Sequence, residues 1–105
     1  MRRTHVLVQV AMALMADASA RHWGYELSKQ SGVRSGAMYP ILNRMLAEGW
    51  LSDGWETSGA GKRPPRRYYK LTDSGKIELG ALMAEARRDA RFRPLFAPHL
   101  ARVVS

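Results

Sequence analysis

The stretch "SGAMYPILNRMLAEGWL", residues 35–51, decides the fold. Leu42, Met45 and Leu46 recur at helical spacing, and Gly49 is typical of a helix end. Pro40 interrupts this pattern, because a proline inside a helix removes a backbone hydrogen bond and costs about 3 kcal/mol. The stretch therefore predicts a helix whose start has to accommodate a proline.

The buried side of this helix is predicted from residues that recur every three or four positions: Met38, Ile41, Leu42, Met45 and Leu46. Ser35 is a suitable N-cap, because its hydroxyl can accept a hydrogen bond from a free backbone N–H. If the helix begins one or two residues after Ser35, Pro40 falls in the first turn, where its missing N–H costs little. Tyr39 and Pro40 then share the outward, N-terminal end of the helix.

Two helices are predicted before this stretch. The first covers about residues 4–16, where apolar residues form one broad stripe: Val6, Leu7, Val10, Ala11 and Leu14. The second covers about residues 23–30, and Ser31 and Gly32 end it in the way a C-terminal glycine usually does.

The pattern changes after Gly49. Residues 50–56 contain strand-forming aromatics, and residues 66–72 alternate, with Arg67, Tyr69 and Leu71 on one face. Residues 57–65 contain two glycines and two prolines, which predicts a loop with a mobile tip. Two strands around one loop make a β-hairpin.

A last helix is predicted after the hairpin. It begins near Thr72 or Asp73, since threonine caps helices and aspartate suits their positive end, and Pro94 ends it. Its apolar positions are Ile77, Leu79, Leu82, Met83, Ala86 and Ala90. Residues 94–105 form a tail that either docks or is disordered.

Positive charge is concentrated in the hairpin. The chain of 105 residues has a formal net charge of +8, and no acid lies between Glu56 and Asp73. That interval holds five basic residues: Lys62, Arg63, Arg66, Arg67 and Lys70. Such a cluster favours a polyanionic partner such as nucleic acid, although charge alone is equally compatible with a solvated surface.

Other classes of protein are not indicated. The chain has no cysteine, which excludes disulfides and thiolate metal sites, and its longest apolar run is too short to span a membrane. No catalytic motif, cofactor-binding loop or metal-ligand spacing appears, and His5, His22 and His99 fit surface or helix-end positions. The sequence predicts a cytoplasmic domain that is not an enzyme and has no cofactor and no membrane partner.

The order helix, helix, helix, hairpin, helix is the layout of a winged helix-turn-helix. The second and third helices then form the helix-turn-helix, with Gly32 permitting the tight bend between them. In this arrangement the third helix enters the DNA major groove and the basic loop lies beside it on the backbone.

Three blocks of the sequence resemble the PadR-like family of transcriptional regulators: GYEL (24–27), SGAMYPILNRMLAEGWL (35–51) and PPRRYYKLTDSGK (64–76). The blocks occur in order at suitable spacing, which makes the resemblance specific. The family usually has Thr-Leu where this chain has Ala37-Met38, a mild change in volume. The resemblance implies a homodimeric DNA-binding repressor whose dimer is made largely by the last helix, with help from the first.

The predicted fold class is mainly α with a small β-hairpin, a winged helix-turn-helix plus a C-terminal dimerisation helix. Residues 1–71 are the DNA-binding domain, residues 72–93 the dimerisation helix and residues 94–105 the tail. The predicted dimer contacts are Leu79, Leu82, Met83, Ala86 and Ala90. Some small relatives bind flat aromatic compounds through a tryptophan of the last helix, but no tryptophan follows Trp55 here, which argues against such a site. A different apolar pocket, lined by the first and last helices, is the alternative site for a small-molecule effector.

Tyr39 is the first predicted DNA contact, because the resemblance gives this tyrosine a groove-facing role. The alternative is a half-buried aromatic that covers the second helix. Pro40 is either a tolerated proline or a contact to a thymine methyl group. Arg34, Ser35 and Gly36 lie at the helix start, where free N–H groups favour a phosphate.

Several other DNA contacts are predicted with structural alternatives. Tyr25 contacts a phosphate through its hydroxyl or packs in the core. Asn43 and Arg44 reach bases, although Arg44 can equally pair with Glu48 one turn later. The basic residues of the hairpin contact phosphates or the minor groove: Lys62, Arg63, Arg66 and Arg67.

Four residues of the hairpin are assigned to packing. Tyr69 and Leu71 are predicted to be core, and Trp50 and Trp55 to pack within the hairpin.

The resulting hypothesis is a homodimeric repressor that binds an inverted-repeat operator in double-stranded DNA. A winged-helix module that binds a protein partner is the alternative, because a fold does not fix a function.

Overall fold

The computed structural model describes residues 1–57 and 63–96. This part of the chain contains five α-helices, one 3-10 turn and three short strands, in an order that includes the predicted elements. They are α1 (His5–Met15), β1 (His22–Trp23), α2 (Gly24–Ser31), α3 (Ser35–Ala47), β2 (Leu51–Glu56), β3 (Arg66–Leu71), α4 (Asp73–Arg87), a 3-10 turn (Ala90–Phe92) and α5 (Arg93–Phe96).

Helix α1 lies at the centre of the core, as its apolar stripe predicted. Its fully enclosed side chains are Leu7, Val8, Val10, Ala11 and Leu14. Each large apolar side chain of this kind stabilises the fold by about 1.5–3 kcal/mol relative to an exposed one. Thr4 caps the helix, because its hydroxyl accepts a hydrogen bond from the N–H of Leu7 at 3.1 Å.

The turn between α2 and α3 is held by a glycine and a serine. Gly32 has a φ of 74°, a left-handed conformation that favours glycine and that ends α2 as predicted. The Ser28 hydroxyl donates to the carbonyl of Val33 at 2.7 Å, and Val33 is buried. The two helices are thereby fixed as a helix-turn-helix.

The start of α3 differs from the prediction in two ways. Ser35 was predicted to be the N-cap, and Pro40 was predicted to lie in the first turn. Arg34 is the N-cap and Ser35 is the first helical residue, so Pro40 lies in the second turn. The N–H of Met38 already bonds the carbonyl of Arg34 at 2.9 Å, so the helix is formed before the proline. The carbonyl that a residue at position 40 would normally bond belongs to Gly36, which is exposed and open to water.

The sheet has three strands in the order β1-β3-β2, and both pairs are antiparallel. The hairpin of β2 and β3 was predicted, and Leu51 lies opposite Leu71 in its register. Strand β1 was missed, because two residues cannot show an alternating pattern. It places His22 opposite Tyr69 and buries the imidazole, whose Nε2 donates to the Asp17 carbonyl at 2.9 Å. Of the surface or helix-end positions predicted for His22, the surface one is wrong, and the residue lies two positions before the start of α2.

Helix α4 starts as predicted and ends earlier than predicted. The Thr72 hydroxyl accepts from the N–H of Gly75 at 2.9 Å and so caps the helix. A new N-cap at Asp89 starts the 3-10 turn after Arg87, and Pro94 lies inside α5 instead of ending α4. Residues 58–62, which include the predicted mobile tip, and residues 97–105 of the predicted tail lie outside the described residues.

Candidate nucleic-acid interface

Burial divides α3 into two faces along the predicted periodicity. Met38, Leu42 and Met45 are fully buried. The residues predicted to contact DNA are all exposed on this segment: Arg34, Ser35, Gly36, Tyr39, Pro40, Asn43 and Arg44. The outward face therefore gathers polar and small side chains at the beginning of the helix.

The helix starts on this side of the molecule lack side-chain caps. Arg34 at the start of α3 and Trp23 at the start of α2 make no capping hydrogen bond through their side chains. The first N–H groups of a helix have no partner within it and carry partial positive charge. Both ends are therefore suited to an anionic group such as a phosphate.

Tyr39 connects α3 to the start of α2. Its hydroxyl lies against Gly24, where an added Cβ would come within 2.3 Å of it. The side chain still exposes 42% of its surface, so it both packs on α2 and faces outward. The packing alternative and the outward orientation predicted for Tyr39 are thus combined in one side chain.

Tyr25 lies next to this contact and is 69% exposed, which excludes the core-packing alternative. The ammonium of Lys29 lies 5.4 Å from the centre of its ring. Tyr25 therefore presents its hydroxyl from the first turn of α2 beside a positive charge.

Arg44 forms the predicted pair with Glu48, but the pair is loose. Its Nε lies 3.8 Å from a carboxylate oxygen, and both side chains are exposed. Exposed pairs of this kind contribute about 0–1 kcal/mol. Arg44 is therefore readily released to another anion.

The arginines of β3 are held by carboxylates. Arg66 donates to Glu26 at 3.0 Å, and Arg67 donates to Asp53 at 2.7 Å. The hydrogen bond to Asp53 raises the pKa of the Arg67 guanidinium. Arg63 is exposed, and Lys62 lies outside the described residues.

Packing in the hairpin follows the prediction except at one residue. Tyr69 and Leu71 are buried and Trp50 is half-buried, as predicted. Trp55 is 65% exposed, so its predicted packing is wrong. Trp55 lies opposite Arg67 near the end of β2, a position that residue type alone does not reveal.

The predicted dimer contacts divide between the core and the surface. Leu79 and Ala86 are fully buried and Leu82 nearly so, because α4 packs on α1 within one protomer. Met83 is half-buried and Ala90 is exposed. Of the predicted dimer contacts, Met83 and Ala90 therefore keep accessible surface for a second protomer. Ile77 was not among the predicted contacts, but it is 71% exposed and is a further candidate.

Two further features concern the described residues as a whole. None of the helices within 1–57 and 63–96 is both long and apolar enough to cross a membrane. Across this part of the chain, no three side chains of the metal-binding types His, Asp and Glu come together in a group that could hold a metal ion.

The fold and the exposed face of α3 define a winged helix-turn-helix protein. The sequence profile described as the transcriptional regulator PadR-like family matches residues 13–81. The chain belongs to this family of transcriptional regulators, and its fold is a winged helix. Curated proteins give no match to the sequence.

Solved structures share this fold. The protein smu.1704 of Streptococcus mutans is 27% identical, with a TM-score of 0.63 and coverage of 81% of this chain and 82% of that one. A PadR-like transcription factor of Bacteroides fragilis is 28% identical, with a TM-score of 0.59 and coverage of 78% and 84%. PadR of Bacillus subtilis, solved in complex with operator DNA, is 23% identical, with a TM-score of 0.59 and coverage of 74% of this chain and 46% of that one.

Proposed function

We propose that this regulator is a homodimeric repressor that binds an inverted-repeat operator. The observation that carries the proposal is the exposed, uncapped start of α3 beside the arginines of β3. The Bacillus subtilis relative of the same fold binds operator DNA, which supports DNA as the partner. Such a regulator acts in the cytoplasm, where its DNA partner lies.

In this proposal the two surfaces have different roles. Tyr39, Pro40, Asn43 and Arg44 face base edges in the major groove, where side chains can distinguish all base pairs. The helix start at Arg34, Ser35 and Gly36, the Tyr25 hydroxyl and the hairpin residues Lys62, Arg63, Arg66 and Arg67 hold phosphates, which fix the register on the duplex.

A second copy of the chain supplies the second half of the operator contact. We assign the dimer to the segment of residues 72–93, the predicted dimerisation helix, and the DNA contacts to residues 1–71. Exposed apolar surface at Ile77 and partly buried Met83 support this assignment. Two copies of α3 related by a two-fold axis then read half-sites about 34–36 Å apart, one helical turn of DNA.

Relief by a small-molecule effector is the least specified part of the proposal. A cleft of about 430 Å³ lies between α1, the end of α2 and α5, and Met12, Ala13 and Leu95 contribute apolar surface to it. An apolar compound that binds there should raise the melting temperature and weaken operator binding.

Footprinting on the DNA upstream of the gene tests the proposal. The expected result is protection of an inverted repeat with two half-sites one helical turn apart. A full-length chain that is dimeric but shows no specific protection at physiological salt would overturn it and would favour the protein-interaction module instead.

A further inference from the structure

A cleft of about 300 Å³ lies where the start of α2, the start of α3 and strand β3 meet. Its lining residues are Trp23, Gly24, Tyr25, Tyr39, Arg66, Arg67 and Tyr69. Every polar side chain among them is a hydroxyl, an indole N–H or a guanidinium, so the lining contains no carboxylate. The cleft is therefore rich in hydrogen-bond donors.

Two of these donors are buried without a partner. The hydroxyl of Tyr69 and the indole Nε1 of Trp23 form no hydrogen bond within the described residues. Tyr69 exposes 1% of its surface, so it forms the floor of the cleft, and burial raises the pKa of its hydroxyl. A buried donor without a partner is costly, and such groups in native proteins call for an explanation, of which a bound ion is one.

The arginines at the cleft retain free donors despite their ion pairs. Arg66 bonds Glu26 through Nη2 alone, and Arg67 bonds Asp53 through Nε and Nη2. A guanidinium carries five N–H donors, so each arginine has N–H groups to give to a second anion. The Arg66 guanidinium carbon lies 5.1 Å from the ring centre of Trp23, and that of Arg67 lies 5.1 Å from the ring centre of Tyr69.

We propose that this cleft binds one phosphate of the DNA backbone, with the Tyr69 hydroxyl and the Trp23 indole N–H as its neutral donors and Arg66 and Arg67 as its cations. The inference rests on the proposed DNA-binding function and adds two side chains that it does not use, Tyr69 and Trp23. A phosphate oxyanion has acceptors in a tetrahedral arrangement and can satisfy donors on the floor and the walls together. The uncapped start of α2 adds backbone N–H groups on the same side.

The Tyr69 hydroxyl has almost no exposed surface, so a wall of the cleft turns aside when the phosphate enters. Tyr39 is the wall side chain that reaches from α3, and it rests on Gly24 by its hydroxyl end. The same tyrosine is a proposed base contact. In this proposal, Tyr39 moves from Gly24 towards the groove when the phosphate site is occupied.

The variant Tyr69→Phe tests the site by removing only the unpartnered hydroxyl. We expect operator and random DNA to bind about tenfold or more weakly in a buffer free of phosphate, since a hydrogen bond to a charged group is lost. The slope of affinity against salt stays unchanged, because no cation is removed. The melting temperature stays equal or rises, because a buried unpartnered hydroxyl is gone.

Tyr68→Phe is the matched control. Tyr68 is its neighbour on the opposite face of β3, with its ring over Gly54 and the Arg21 guanidinium 4.2 Å from its centre. This variant should bind DNA like the wild type. Binding by Tyr69→Phe within twofold of the wild type overturns the phosphate site, whereas a wild type that binds no DNA overturns the proposed function itself.

The indole N–H of Trp23 gives a direct readout in a ¹H–¹⁵N spectrum, where Trp23→Phe identifies its signal. We expect that signal to shift on addition of an operator duplex and to stay in place in millimolar inorganic phosphate. If the Trp23 signal shifts with inorganic phosphate alone, the cleft is a site for free anions, and the assignment to a DNA phosphate is overturned. A signal that stays in place at saturation with DNA would also overturn it.

Discussion

Helix α3 and strand β3 border the same cleft, yet they present their polar groups in opposite ways. Within residues 1–57 and 63–96, Arg34 at the start of α3 forms no ion pair and the helix has no side-chain cap. In β3, by contrast, Arg66 and Arg67 are each held by a carboxylate. The comparison indicates that the start of α3 meets DNA without an existing partner, whereas the β3 arginines are already paired and offer only their remaining N–H groups.

The largest expected effect comes from removing the charges of β3. The double variant Arg66→Ala and Arg67→Ala should weaken binding to every DNA sequence, by about a hundredfold at low salt, because it removes two phosphate contacts. The slope of log affinity against log salt should fall by about two, one for each contact, which a titration between low and physiological salt measures.

Arg88→Ala with Arg93→Ala is the control for charge alone. These exposed residues lie at the end of α4 and the start of α5, and the substitution removes the same net charge. Equal losses in the two double variants would mean that net charge, and not the β3 site, controls affinity.

Tyr39→Ala should have the next largest effect, and only on specificity. We expect the ratio of operator to random-sequence affinity to fall by about tenfold to a hundredfold, corresponding to about 1–3 kcal/mol of base discrimination. Competition binding with operator and scrambled duplexes measures the ratio. A uniform loss on both duplexes would instead make Tyr39 a phosphate contact, and an unchanged ratio would remove it from the interface.

Asp53→Asn should act in the opposite direction. The amide no longer holds Arg67 by charge, so the arginine is free for a phosphate, and we expect DNA binding to tighten by a few-fold with a steeper salt dependence. Glu85→Gln is the control, because it breaks the ion pair with Arg3 on another surface. Weaker binding by Asp53→Asn would show that the carboxylate positions Arg67 for DNA and does not compete for it.

The smallest effect is expected outside both surfaces, at Asp89. The hydrogen bond from the Arg91 side chain, together with that from its backbone N–H, lowers the pKa of Asp89 to about 2. A lowered folded-state pKa gives stability that is present above the unfolded value of about 3.9 and is lost as the pH falls towards 2.

Melting temperatures of Asp89→Asn and the wild type at several pH values check this expectation. The variant should melt slightly lower at pH 5–7, with the difference vanishing near pH 2, and DNA binding at neutral pH should be unchanged. A difference that persists at pH 2 would show that the effect does not arise from the carboxylate charge.

Periodic elements were predictable, and single contacts were not. The apolar stripe of α1, the buried side of α3 and the alternation of β3 all follow from repeating patterns, and Thr72 was predictable as a cap from its chemistry. Strand β1 is two residues long and carries no repeat, so it is defined only by its pairing with β3.

The remaining errors have local causes. The free-energy cost of Pro40 was overestimated, and the helix start was therefore predicted too late. The carbonyl that Pro40 leaves without a backbone partner belongs to an exposed glycine and is open to water. The end of α4 is set by Asp89, whose carboxylate bonds the N–H of Arg91 at 3.0 Å and starts a new turn before the proline. The ion pairs of β3 join residues 14 and 40 positions apart, a separation at which sequence spacing carries no signal.

The start of α4 is fastened to the end of α3 at one point. Thr72 donates its N–H to the Trp50 carbonyl at 3.1 Å and its hydroxyl to the Gly49 carbonyl at 2.7 Å. Gly75 is so close to that Trp50 carbonyl that an added Cβ would lie 1.9 Å from it. In a dimer built on α4, these contacts hold α3 at a fixed angle to α4. The angle between the two α4 helices then determines the distance between the two α3 helices, and this distance selects the half-site spacing of the operator.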